Sequence, residues 1–267
     1  MKANLPKRKK LSGASAALLM ARMFLRISLG RRRMLWVGLA LLLPPALTAW
    51  GRLSMDGSGA DLFLEMVVNL MLQFEVLGLT LYLGVAAVRD EVEDGTIVYL
   101  LTRPVARWAI VGGKFLAVVF GVALALIVDL LLVYTIALGP DGVGAFLSNL
   151  GYLLFAAWAL LLAVVAYTGL FGLLGTIFNH PMIPALVLAF GWEGVVSNLP
   201  GGIPKGSLMF YIKSVLGLGP ENNSLLNILM PSVDPVSVTM ASVVLVVASV
   251  LLWVSALVVA TKREFEV

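Results

Sequence analysis

Four carboxylic acids stand inside long apolar stretches of the chain, and they are the first side chains that could do chemistry. They are Glu65, Glu75, Asp129 and Glu193. If these stretches cross a bilayer, each ionised carboxylate costs roughly 2.5–3.5 kcal/mol on insertion scales, and no Lys or Arg lies deep in the same stretches to pair with it. Two interpretations stay open. Each acid is a neutral carboxyl hydrogen-bonded within a helix bundle, or the acids line a polar pathway that suits a cationic or polar headgroup.

Residue types that support catalysis or metal binding are scarce. The chain has no cysteine and one histidine, His180, which excludes disulfides, thiolate ligands and a multi-histidine metal site. The sequence contains no phosphate loop of the form G-x4-G-K-[ST], and no H-E-x-x-H or G-x-S-x-G motif. We therefore expect no catalytic residue, no metal ion and no cofactor in this chain.

The elements that must position the four acids are long apolar helices. Hydrophobic residues make up 60% of the chain and charged residues 13%, where a soluble domain is about a quarter charged. Mean hydropathy is +1.00. Because a span needs about 20 apolar residues, the sequence predicts an all-α membrane protein with six transmembrane helices. The predicted spans are 34–50, 62–88, 109–138, 150–178, 182–199 and 236–260. Pro44-Pro45 is expected to kink or break the first span near its outer end.

The basic residues predict the orientation of these spans. Sixteen of the 19 Lys and Arg residues lie before the first span, around the loop between the second and third spans, or in the C-terminal tail. Basic loops stay in the cytoplasm, so both termini and the 89–108 loop are predicted to be cytoplasmic, in a prokaryotic inner membrane. The domain prediction is a basic N-terminus (1–33), a six-helix transmembrane domain (34–260) and a cytoplasmic tail (261–267).

Several basic and aromatic residues are predicted to lie at the membrane interface. Arg22 and Arg26 share one face of an amphipathic segment, 14–30, whose other face is apolar. Such a helix lies among anionic headgroups, as a topology-setting anchor or as an elbow helix beside a partner subunit. Trp108 and Lys114 are predicted to anchor the third span at the same interface.

The loop between the second and third spans has the most informative sequence. Four acids in the five residues 90–94 carry the second helix into water, and Gly95 is expected to end or bend it. A short, partly apolar helix is predicted over 96–102, and Arg103-Pro104 ends it. An exposed apolar helix is typical of a docking element for another protein. An interfacial loop anchored by Trp108 has the same pattern, so both interpretations stay open.

The residues of this loop resemble a known family. The run Glu93-x-Gly95-Thr96, followed by Leu100-Leu101, Pro104, Arg107 and Gly113-Lys114, is similar to the cytoplasmic loop of ABC-2 type ABC-transporter permeases. In that family the pattern E-x-G-T-x3-L-L-x2-P-x2-R, followed by G-K, lies between the second and third spans. The similarity covers the layout of the whole chain and is specific in residues over 89–116. It implies that 96–102 is a coupling helix seated in a cleft of a separate ATPase subunit. The residues it assigns to ATPase coupling are Glu93, Gly95, Thr96, Ile97, Leu100, Leu101, Pro104 and Arg107.

The resemblance also implies a function and partners. The chain would be the permease subunit of an ABC exporter and not itself an enzyme, because ATP and Mg²⁺ would bind to the ATPase subunit. One chain supplies half of the helices that such an exporter needs, which predicts a dimer with a second copy or a related permease. No nucleic-acid partner is expected. The alternatives are a non-transporting membrane subunit of an ATPase-driven envelope machine and a secondary transporter.

Two further segments are expected to shape the bundle. Gly169, Gly172 and Gly175 recur every three residues in the fourth span and predict one face that packs closely on another helix. The outer loop, 200–235, contains two apolar pieces that are too short to span, 208–218 and 225–230. By the resemblance they are short helices that dip into the outer leaflet; the alternative is an interfacial loop that shields the bundle.

Overall fold

Helices build all the regular structure in the part of the chain that is described. A computed structural model of the protein describes residues 31–54, 57–93, 107–197, 199, 202–217 and 234–262. The helices are α1 (Arg31–Ser54), α2 (Gly59–Met66), α3 (Leu77–Glu93), α4 (Arg107–Leu138), α5 (Gly142–Ser148), α6 (Leu150–Ile177), α7 (Met182–Leu186), α8 (Leu208–Val215) and α9 (Val238–Lys262). Two π-helical segments are continuous with them. The first, Val67–Val76, joins α2 to α3, and the second, Val187–Val196, extends α7. The predicted all-α class is confirmed.

Four stretches among the described residues are long and apolar enough to cross a membrane. They are Gly59–Val88, Trp108–Ser148, Leu150–Ile177 and Val238–Lys262. They correspond to the second, third, fourth and sixth predicted spans. The first predicted span lies in α1, and the fifth lies in the shorter apolar helix Met182–Val196. That these two also cross the membrane stays a prediction.

The first span was predicted to kink or break at Pro44-Pro45. A break is wrong, because α1 continues through both prolines to Ser54, and a kink stays a prediction. Each proline lacks the N–H that would bond to the carbonyl four residues earlier. Both rings are buried in the bundle, where neighbouring helices tolerate such a defect. The hydroxyl of Thr48 donates to the carbonyl of Pro44 at 2.7 Å, so this carbonyl gains a side-chain partner.

The central helix of the bundle is α6. It packs against α3, α4, α8 and α9, and over half of its most apolar window, 56%, is buried, compared with 22% for α9. Its buried face consists largely of alanine, glycine and leucine, with two large aromatic rings, Tyr167 and Phe171, stacked at 5.9 Å. Small residues let the surrounding helices approach α6 closely.

The three glycines of α6 face three different helices, so the prediction of one close-packed face is wrong. A Cβ on Gly169 would meet Trp253 of α9, and one on Gly172 would overlap the Phe115 ring of α4. A Cβ on Gly175 would lie 3.5 Å from Val85 of α3. Residues three apart on a helix lie about 60° apart around its axis. A helix surrounded on several sides therefore presents each glycine to a different neighbour.

The described part of the outer loop is packed into the bundle. The helix α8 lies against α6 and α9, and six of its eight residues are buried. It begins at Ser207, whose hydroxyl accepts a hydrogen bond from the N–H of Phe210 at 3.2 Å, the usual geometry of a helix N-cap. The apolar piece 225–230 lies outside the described residues.

Candidate functional site

The two helices that frame the predicted ATPase-coupling segment come together at one end of the bundle. The backbone of α3 ends at Glu93, that of α4 begins at Arg107, and the two helices pack against each other. Residues 94–106 connect these two helices in the sequence. The predicted coupling residues of this segment lie outside the described residues, as do Arg22 and Arg26 of the N-terminal segment; those in the joining segment are Gly95, Thr96, Ile97, Leu100, Leu101 and Pro104.

The two predicted anchors of the third span differ in their surroundings. Trp108 is 49% exposed, as an interfacial anchor needs to be. Lys114 is only 5% exposed and has an interaction partner; that it anchors the third span at the interface stays a prediction. It lies two turns into α4 between the buried residues Gly113 and Phe115, on the side of α4 that faces the bundle.

Glu75 and Asp129 are brought together between two of the membrane-spanning stretches. Glu75 lies near the end of the first π segment, and Asp129 lies in α4. Glu75 is 5% exposed and Asp129 is 2% exposed, and the two carboxyl groups lie within hydrogen-bonding range of each other. We call these two residues the carboxyl pair. The π-helix is an uncommon conformation that recurs at functional sites.

No hydrogen-bond donor among the described residues serves the carboxyl pair. All four carboxyl oxygens are inaccessible to solvent, and none has a hydrogen-bond partner by distance and angle. The contact between the two acids is thus between acceptor atoms, unless one of the carboxyls carries a proton. The pair differs in this respect from other buried carboxyls, which normally accept hydrogen bonds.

Glu193 is also buried, but both of its carboxylate oxygens accept hydrogen bonds. The hydroxyl of Tyr167 and the N–H of Met209 donate to Oε2 at 2.9 and 2.8 Å, and the N–H of Leu208 donates to Oε1 at 3.1 Å. These backbone donors belong to the first turn of α8, where four N–H groups lack helical partners. Glu193 therefore closes the N-terminus of α8 and ties it to α6.

The predicted pathway acids consequently have three different environments. Glu65 is exposed on the surface of α2, Glu193 caps α8, and the carboxyl pair is buried without donors. The structure brings only Glu75 and Asp129 of these four acids together. That any of them lines a transport pathway stays a prediction.

Two polar contacts in the structure are not predicted by the sequence. Tyr167 looks like an ordinary apolar residue of a span, yet its hydroxyl holds Glu193. Arg52 forms an ion pair with Asp141, which also accepts a hydrogen bond from the N–H of Gly59 at 3.1 Å. Arg52 and Asp141 lie in different loops of the predicted topology, so only their opposite charges and their shared side of the membrane hinted at this contact.

An apolar groove of about 430 Å³ lies between α6 and α9. Trp158 and Trp253 stand along it, and their ring N–H groups are bonded to Ser242 and to the carbonyl of Val165. The hydroxyl of Ser249 is bonded to the carbonyl of Leu245. The groove is therefore lined by apolar groups, and no polar group points into it that could orient a ligand.

A comparison with protein-family models gives a match. A family model described as "ABC-2 family transporter protein" matches residues 29–192, which is more than half of the chain. The matched region contains the carboxyl pair and both ends of the 94–106 connection, whereas Glu193, α8 and α9 lie beyond it. A comparison with curated protein sequences found no match. Among the described residues, no group of three or more acids and histidines could hold a metal ion.

Proposed function

The chain belongs to the ABC-2 family of transporter proteins and is an integral membrane permease; from this premise we propose that it is the permease subunit of an ABC exporter driven by a separate ATPase subunit. The single observation that carries the proposal is the family match, which spans the predicted coupling segment. In this proposal ATP and Mg²⁺ bind to the ATPase, and the permease chain supplies the pathway.

The proposed docking element is residues 96–102. The packing of α3 against α4 supports it, because the segment connects two helices that are in contact. A force applied there by an ATPase would act on α3 and α4 together. Through them it would reach α6, which packs against both. Ile97, Leu100 and Leu101 would supply the apolar contact, with Glu93 and Arg107 at the two ends of the element.

The proposed orientation follows from the charge distribution. With the basic segments in the cytoplasm, 96–102 would face a cytoplasmic ATPase in a prokaryotic inner membrane. A paired ATPase has two clefts, so we propose that two permease chains assemble side by side about an axis along the membrane normal. The second chain is another copy or a related permease.

Co-purification with a co-expressed ABC ATPase subunit from the same organism tests the proposal. Leu100→Asp would place an unpaired charge in the proposed contact, and truncating an interface anchor typically costs more than about 1 kcal/mol. We expect this variant to insert normally and to lose most of the bound ATPase, together with the stimulated hydrolysis of ATP. Val143→Asp is the matched control. It adds the same charge in the first turn of α5, at a residue that is 74% exposed, and should leave association unchanged.

The outcomes separate the proposal from its alternatives. If the wild-type chain recruits no ATPase, it is a secondary transporter and the proposal is wrong. If an ATPase binds and ATP hydrolysis moves no lipid, polysaccharide, drug or peptide out of loaded proteoliposomes, the chain is the membrane subunit of a non-transporting machine. If Leu100→Asp keeps full ATPase binding, the 96–102 segment is an interfacial loop.

A further inference from the structure

The carboxyl pair lies between two membrane-spanning stretches, and the two acids are in contact although no described group donates a hydrogen bond to them. Glu75 and Asp129 lie within hydrogen-bonding range, yet no described N–H or O–H group serves any of their four oxygens. Two ionised carboxylates have no hydrogen to share. A hydrogen bond between them therefore needs at least one proton on the pair.

Electrostatics lead to the same requirement. Two unit charges a few ångströms apart repel strongly where water is excluded, and two carboxylates that share a site do not both ionise readily. One proton would turn this repulsion into a charge-assisted hydrogen bond, which is among the stronger kinds. The four oxygens are inaccessible to solvent, so in this conformation the space between them does not admit a ligand as large as water.

Other titratable groups on the surrounding helices are engaged or directed elsewhere. The helices that contact the first π segment or α4 are α1, α2, α3, α5, α6 and α9. Glu75 and Asp129 each have the other as the one titratable side chain acting on them among the described residues. Lys114 lies on α4 as well, but about 22 Å along the helix axis from Asp129. The other titratable side chains that the structure describes on these elements fall into two groups. Four have partners elsewhere: Arg52 pairs with Asp141, Tyr134 donates to the Phe146 carbonyl, Tyr167 donates to Glu193, and Tyr82 has a partner of its own. The others are exposed: Asp61, Glu65, Tyr152 and Lys262.

We propose that Glu75 and Asp129 form a proton-binding site that fastens the first π segment to α4. With a proton bound, the two carboxyls hold the stretches together through a shared hydrogen bond. When the proton leaves, two adjacent negative charges remain and the stretches separate. This inference goes beyond the permease function and does not depend on an ATPase.

The exchange involves only the transfer of one proton. The proton comes from water when the helices part far enough for water to reach the oxygens, and it returns to water on release. No other bond forms or breaks. Any movement that exposes the pair, whatever drives it, is accordingly coupled to proton uptake or release.

Infrared spectroscopy of the purified full-length chain in lipid nanodiscs tests the inference. A protonated carboxyl has a C=O stretch that an ionised carboxylate lacks, and this band shifts in heavy water. We expect the wild-type spectrum at neutral pH to contain such a band that Glu75→Gln/Asp129→Asn lacks. Glu65→Gln is the matched control on the same continuous helix, because Glu65 is exposed; it should retain the full band. If the band is the same in the double variant, or absent from the wild type, the pair holds no proton and the inference is wrong.

A second arm needs no substitution and covers the case in which the double variant does not fold. Asp129 is the one aspartate buried among the described residues. Labelling all aspartate carboxyls with ¹³C should therefore shift part of the protonated-carboxyl band of the wild-type chain. No shift in that band would overturn the assignment to Asp129. The appearance of a protonated band only after alkali or alkaline-earth ions are removed would show that a metal cation, rather than a proton, occupies the pair.

Discussion

Two neighbouring junctions along α6 hold the bundle together by opposite means. In the glycine junction, Gly169 and Gly172 leave room for the rings of Trp253 and Phe115, and these rings pack edge to face at 5.6 Å. In the carboxylate junction, Tyr167 and the carboxylate of Glu193 hold the N-terminus of α8 through hydrogen bonds. The glycine junction depends on the absence of side chains at Gly169 and Gly172. The carboxylate junction depends on oxygens of Glu193 that accept hydrogen bonds from the Tyr167 hydroxyl and from two backbone N–H groups of α8.

The difference has a mechanical consequence. Close-packed interiors resist any change of volume. A displacement of α4 at the glycine junction should therefore move α6 and α9 by nearly the same distance. The carboxylate junction consists of three separate hydrogen bonds, so a movement of α8 can break it stepwise. The glycine junction lies at the end of the bundle where α3 ends and α4 begins, which is where we propose that the ATPase acts.

The largest expected effect comes from removing the carboxylate. Glu193→Ala would leave the Tyr167 hydroxyl and the N–H groups of Leu208 and Met209 without their acceptor. Unsatisfied buried donors cost about 1–3 kcal/mol each at most sites. We expect the free energy of unfolding to fall by about 3 kcal/mol, measured by reversible unfolding of the purified chain in mixed micelles.

The matched variant for this position is Glu193→Gln. The amide oxygen of glutamine can still accept hydrogen bonds from the donors on one side of the group. Its NH₂ group cannot accept, so the donors that bond to the other carboxylate oxygen lose their acceptor. The loss should therefore be clearly smaller than for alanine. Equal losses for both variants would mean that burial of the side chain, and not its hydrogen bonds, stabilises this junction.

A smaller effect is expected from filling the glycine junction. The Cβ of Gly172→Ala would lie 2.7 and 2.9 Å from the two Cε atoms of Phe115, whose ring is fully buried. Overpacking typically costs about 1–3 kcal/mol. We expect the free energy of unfolding of Gly172→Ala to be about 2 kcal/mol lower than that of Gly151→Ala.

Gly151 is the appropriate control because it lies on the same helix and a Cβ there would meet nothing within 4 Å. Shortening the opposing ring should relieve the clash, so Phe115→Leu is expected to cost less in the Gly172→Ala background than in the wild type. Additive losses in this double-mutant cycle would contradict a direct contact between residues 115 and 172.

The smallest expected effect comes from removing a single hydrogen bond. Tyr167→Phe retains the stacking on Phe171 and removes one donor from Glu193, whose Oε2 still accepts from Met209. The expected loss is about 1 kcal/mol, the usual net value of one hydrogen bond. Tyr152→Phe, an exposed tyrosine of the same helix, should be neutral. A loss near that of Glu193→Ala would show that Tyr167 is the main support of the junction.

Much of the fold could be predicted from the sequence, because the length of an apolar run is set by the thickness of the bilayer. The second, third, fourth and sixth predicted spans agree with helices to within a few residues, for example 150–178 with Leu150–Ile177. A break at Pro44-Pro45 does not occur, because both prolines are buried against neighbouring helices, which a local rule about a missing N–H does not take into account.

The candidate site was much less predictable, because hydropathy does not determine how a helix is rotated about its axis. Glu75, Asp129 and Glu193 were recognised as unusual, but which acids meet depends on helix rotation and on the π segment before Glu75. Glu193 can cap α8 only because α8 packs into the bundle, and the sequence of this eight-residue helix does not predict that position. The glycines of α6 were recognised as packing residues, but a spacing of three could not identify the three separate helices that they face.

Site-specific crosslinking tests the central proposal most directly, namely that an ATPase docks at the end of the bundle where α3 and α4 meet. The chain has no cysteine, so a single introduced cysteine carrying a photoactivatable group reports on one position only. In membranes that contain the complex, Leu100→Cys should crosslink to the soluble ATPase subunit, whereas Val143→Cys should not. A crosslink to the ATPase from residue 143 and none from residue 100 would contradict the account.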